Sequence, residues 1–162
     1  MNPSPTNMSR RFRRLGAIVS IACAVPLAAA APTEGGLYIA GYEFNFEQAA
    51  SRGLAQNPNG RRFFVLTLAP NASALTATAP KASVTLRERV IAGNGVLLVC
   101  QRDIKNGSID ASKLATGVVA VRGFPPPGSK ELPHGERFFP NENRDVLPRN
   151  NEALRRIRAA CS

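Results

Sequence analysis

The chain has 162 residues, enough for one domain, with 44% hydrophobic and 20% charged residues, a balance that favours globular folding over wholesale disorder. One histidine, His134, and three cysteines, Cys23, Cys100 and Cys161, exclude a multi-histidine metal centre, a four-cysteine zinc site and any CxxC pair. The formal charge of +10 is partly that of a removable leader.

Arg10, Arg11, Arg13 and Arg14 precede an apolar run from Leu15 to Ala31. A basic start, an apolar middle and small residues at the end describe a secretory signal peptide over residues 1–30, with Ala28 and Ala30 at the cleavage positions. The alternative, a membrane anchor, suits the run less well, because it is short, alanine-rich and contains Pro26. Ser9-Arg10-Arg11 and Ser20 to Cys23 leave twin-arginine and lipoprotein variants of export open. Loss of residues 1–30 turns 21 basic against 11 acidic residues into 17 against 11, a mature charge of +6. The basic residues are dispersed and lack interleaved aromatics, so nucleic acid is not an expected partner; nor is a stable membrane span after cleavage.

The mature chain reads as an α/β domain over residues 31–122, a Pro-rich extended arm over 123–149, and a terminal helix and tail over 150–162. Gly35 to Ala40 is a short strand. Asn45 caps a helix, and Gln48 three residues on completes a capping box. Phe46, Ala49, Ala50, Gly53 and Leu54 form its apolar face, and Asn57-Pro58-Asn59-Gly60 ends it. Arg62 to Leu68 is a nearly continuous apolar run, as a strand covered on both faces requires. Ala69-Pro70-Asn71 stops it.

A second helix is expected from Pro80 to Ala92, its apolar side Val84, Leu86, Val90 and Ile91, with Arg87-Glu88-Arg89 solvated. Gly93-Asn94-Gly95 is a turn. Gly95 to Cys100 reads as a central parallel strand, Arg102 to Leu114 as a weak helical stretch broken at Asn106-Gly107, and Gly117 to Val121 as a third buried strand. Strands alternating with helices at this spacing predict βαβ units, a small, mostly parallel sheet and a three-layer αβα domain. Phe124, Phe138 and Phe139 are expected to anchor the arm. The last helix runs from Asn150 or Asn151 to Ala160, with Leu154, Ile157 and Cys161 on one face.

Chemistry falls on Cys100. It ends an apolar strand at the sheet edge where α/β proteins bind ligands, and the following turn of helix, with Arg102 and Lys105, would favour a thiolate. A cysteine in this place also serves as an ordinary small core residue. No cofactor motif is present, His134 reads as a loop residue, and the carboxylates Glu131, Glu136 and Glu142 read as solvated charges of the arm.

The segment Val96 to Val121, an apolar strand ending in Cys100, a short polar helix and a Gly-Val strand, resembles the core of the DsrE/DsrF-like family, with the likeness extending over residues 37–122. That resemblance implies a DsrE-like fold and homo- or hetero-oligomers with the sheet edge and helices at the interface. It further implies that Cys100 accepts sulfur as a persulfide from a donor protein or small sulfur compound and passes it on. An export signal, however, places the mature chain in an oxidising compartment, the bacterial periplasm. There Cys100 and Cys161 are an even pair, and a Cys100–Cys161 disulfide is the natural outcome. The two readings are thus a sulfur-handling protein and a non-catalytic binding or assembly module stapled by that bond.

Overall fold

The computed structural model describes residues 34–125, 128 and 143–162. The expected signal peptide, His134, Phe138, Phe139 and most of the Pro-rich arm lie outside them.

Four strands, β1 (Glu34–Ala40), β2 (Arg62–Thr67), β3 (Gly95–Cys100) and β4 (Val118–Val121), form one all-parallel sheet in the order β1-β2-β3-β4. Helix α1 (Phe46–Gln56) connects β1 to β2. A 3-10 segment (Ala69–Leu75) and α2 (Lys81–Ala92) connect β2 to β3. The short α3 (Gln101–Lys105) and a single 3-10 turn (Ala111–Lys113) lead to β4, and α4 (Asn151–Ala160) comes last. This is the expected single α/β domain with a short terminal helix.

Side chains on a strand alternate between faces, and here both faces are dry. Phe63, Val65, Leu97 and Val99 point to one side, where Phe46, Ala49 and Ala50 of α1, Leu86 and Val90 of α2, and Leu75 complete one cluster. Phe64, Leu66, Leu98 and Cys100 point to the other, where Ile157 and Cys161, at the end of α4, and Leu147 close a second. Hence β2 and β3 are the continuous apolar runs of the sequence: each of their side chains meets a helical layer.

The capping box at α1 forms as the sequence predicts: Gln48 N donates to Asn45 Oδ1 at 2.9 Å, and Asn45 N donates to Gln48 Oε1 at 3.0 Å. Asn150 caps α4, its side chain accepting from Glu152 N and Ala153 N. Asn94, at φ 64°, makes the left-handed turn into β3.

Four expectations need correction. Thr67, not Leu68, ends β2; Ala69-Pro70-Asn71 does stop the strand, and from there the chain winds into the 3-10 segment over Ala69–Leu75. Pro80 precedes α2 as its cap residue rather than opening its first turn. Arg87 is buried, not solvated. Its guanidinium donates to the carbonyls of Ala74 at 3.1 Å and Thr76 at 2.5 Å, while Ile91, expected inside, is half exposed. Finally, β4 is an edge strand with only Val121 fully buried, because nothing pairs beyond it among the described residues.

Candidate functional site

Cys100 is the last residue of β3, on the α4 side of the sheet, and is 0% exposed. Its register places it beside Val121 of β4. Cys161 ends α4 and is 2% exposed. The two are joined by a disulfide with a Cα–Cα distance of 5.1 Å, closing a sequence separation of 61. Leu154, Ile157 and Cys161 share the packed face of α4 as their i, i+3, i+7 spacing requires, with Leu154 half buried.

The chemistry around the bond is that of an anchored helix end. The last carbonyls of a helix have no partner within it. Arg102 supplies one: Nη2 donates to Ala160 O at 3.4 Å and Nη1 to Ser162 O, while Nε meets Asp103 Oδ1 at 3.2 Å. Arg158 is buried at 6% exposure, and its Nη1 donates to Arg122 O at 2.7 Å, so α4 is also bonded to the chain leaving β4. Phe124 N donates to Ser162 Oγ at 2.8 Å, and a Cβ at Gly123 would collide with the carbonyl of Cys161. Asp103, the buried residue of α3, accepts from Ala69 N at 3.2 Å and ties the start of the 3-10 segment to the same end of the sheet.

Beside this junction lies an open groove of about 550 Å³, with Arg102, Lys105, Arg122, Phe124 and Cys161 among its lining. Cys161, rather than Cys100, faces it. The arginine and lysine expected to favour a thiolate are therefore near, but Arg102 is engaged with the α4 terminus and Cys100 sulfur is bonded to Cys161. In addition, the order of the four described strands runs without reversal, so among the described residues no crevice opens between crossovers diverging to opposite faces, the usual ligand position in such sheets.

A second cavity, of about 460 Å³, sits on the far side of the sheet along the outer edge of β1. It is lined by Leu37, Tyr38 and Ile39 of β1, by the loop carrying Tyr42 and Phe44, and by Arg52 of α1 and Arg156 of α4. Sequence reading missed it, since its parts are dispersed over more than a hundred positions and its one local signal was an aromatic pair in the loop after β1.

Among the described residues, no three His, Cys, Asp or Glu side chains gather as a metal site, and no helix is long and apolar enough to cross a membrane. The chain matches no known family, no curated protein and no solved structure.

Proposed function

We propose that this chain is an exported α/β binding or assembly module in which Cys100–Cys161 is a structural disulfide. The observation that carries the reading is the burial of both sulfurs in one bond between the central strand β3 and the end of α4. An oxidising compartment such as the bacterial periplasm is where such a bond persists, which fits the basic and apolar leader read over residues 1–30. Assembly with partners, including further copies of the chain, would then use surfaces away from the bond.

A second reading is the sulfur-accepting role that the DsrE/DsrF resemblance implies for Cys100. One observation favours it: Cys161 lines an open groove with Arg102 and Lys105 on its rim, where a hydrosulfide ion attacking Cys161 Sγ would form a persulfide on Cys161 and release Cys100 as the thiolate, which could then take over the outer sulfur and leave Cys161 as the thiolate. It requires the disulfide to open, since Cys100 carries no free thiol while it is closed.

Intact mass of the mature, exported chain decides between them, taken with and without reductant and after alkylation. A gain of about 2 Da on reduction and no alkylation beforehand supports the stapled module. Alkylation of Cys100 without reductant, or roughly 32 Da of added sulfur on it, overturns the module in favour of sulfur handling. The same spectrum locates the cleavage site.

A further inference from the structure

Strand β1 is the outer strand of the sheet, and the groove along it combines three features that ask for the same occupant. First, Leu68 N donates to Ala40 O at 2.9 Å, so the backbone of Ala40 faces β2. In a parallel ladder alternate residues face alternate sides. Leu37 and Ile39 therefore turn their N–H and C=O groups outward, into the groove, with no backbone partner among the described residues. Second, natural edge strands are blunted by prolines, lysines or inward charges. In β1 the charge of Glu34 and a register irregularity lie before Leu37, and the stretch Leu37-Tyr38-Ile39-Ala40 along the groove has none of these.

Third, the charges on the groove are arranged for a strand. Arg52 rises from α1 on one face of the sheet, and Arg156 from α4 on the other. Arg52 is held over Phe44, its Cζ 4.3 Å from the ring centroid. Neither guanidinium has a carboxylate within ion-pair distance among the described residues, where the pairs are Arg102–Asp103 and Lys113–Asp110. Glu43 is the one carboxylate on the lining against two arginines, which leaves the groove net positive. Successive side chains of a strand point to opposite faces. An added strand with two adjacent acidic residues would present one to each arginine.

We infer that the β1 edge docks an extended, acidic segment of a partner protein as a fifth strand, with consecutive Asp or Glu side chains meeting Arg52 and Arg156. Main-chain bonds to Leu37 and Ile39 would supply affinity, and the two arginines the choice of sequence. The inference rests on the module reading and names the partner's chemistry.

The test is fluorescence polarisation of the oxidised mature chain with a labelled hexapeptide of Thr and Val around a central Glu-Glu pair, and with its Gln-Gln counterpart. The acidic peptide should bind, and more weakly as salt rises. Arg52→Ala or Arg156→Ala should each weaken it about threefold, and the double variant about tenfold. Ile39→Pro should abolish binding while the fold stays intact, because the N–H it removes faces away from β2. Absence of saturation up to about 1 mM peptide overturns the inference. So does equal binding of the Gln-Gln peptide, undiminished binding by the arginine or proline variants, or a dimer in which a second copy already holds the edge. Intact mass of the same sample separates the two levels. A closed disulfide with no peptide binding sinks this inference alone, whereas a free Cys100 sinks the module beneath it.

Discussion

The carboxylate of Glu34 accepts the backbone N–H of Arg149, with Oε2 at 2.8 Å and Oε1 at 3.0 Å, and Oε2 also accepts from Asn150 N at 3.1 Å. The first residue of β1 thus satisfies backbone donors at the entry of α4, across a separation of 115 residues. Helix α4 is in this way held at both ends by distant parts of the chain: a carboxylate at its start and a disulfide at its finish.

Glu34→Gln keeps the shape of that contact and removes its charge. An exposed anion near a helix start contributes about 0.3–1 kcal/mol, and the variant should lose stability in that range. The loss should shrink in high salt. Urea unfolding of both proteins at two ionic strengths measures it, and a loss that is insensitive to salt would show that charge is not what the contact contributes.

Cys100→Ser with Cys161→Ser removes the other tether. For a loop of this length, chain entropy predicts a loss on the order of 4 kcal/mol. Reductant should lower the melting temperature of the parent chain and leave that of the double variant unchanged. Equal melting of the two proteins without reductant would mean that the bond does not hold the fold.

Arg87→Met keeps an aliphatic stem against the core and deletes the donors to Ala74 and Thr76. Carbonyls left without a partner at a buried site cost about 1–3 kcal/mol. The effect should concentrate in Ala69–Leu75, so hydrogen exchange in and just after that segment should accelerate more than in β3.

Thr67→Val tests the opposite case. The hydroxyl of Thr67 is buried with no hydrogen-bond partner among the described residues. A methyl group of the same shape removes the cost of burying it, so the variant should be neutral or more stable, by up to about 1 kcal/mol. A clear loss of stability in urea would reveal a bond that Thr67 makes in solution.

Much of this architecture was legible because its signals are local. Asn45 and Gln48 cap α1 through bonds that span three residues. Phe63 to Leu66 and Leu97 to Cys100 had to be covered on both faces, since no side of either run is polar. Arg87 was misread because it stands between Glu88 and Leu86 in a charged triplet. Its true company is the stripe Ser83, Leu86, Val90, which the i, i+3, i+4, i+7 rule would have included it in had a polar member been allowed. The burial of that guanidinium depends on carbonyls in a segment read as a bare stop.

Strand order lay further out of reach. Continuous apolar runs look alike whether central or at an edge, so the half-open state of β4 and the rim of β1, unpaired among the described residues, follow from pairing, which no local pattern encodes. Cys100 is legible from its place at a strand end, and its bond to Cys161 from the count of cysteines outside the expected leader. The β1 groove was not found, because Arg52 and Arg156 are neighbours only once α1 and α4 have taken opposite faces.

The consecutive strand order also sets a timetable. Each strand joins beside the one before it, so β1, β2 and β3 can pair in the order in which the chain appears. The face that carries Phe64, Leu66 and Leu98 has no such luck. Its cover, Ile157 and Cys161, follows all four strands along the chain, so that half of the core stays wet until α4 has been made. The two halves of the core therefore close in succession, and the disulfide, which needs both β3 and the end of α4 in place, is the final stitch.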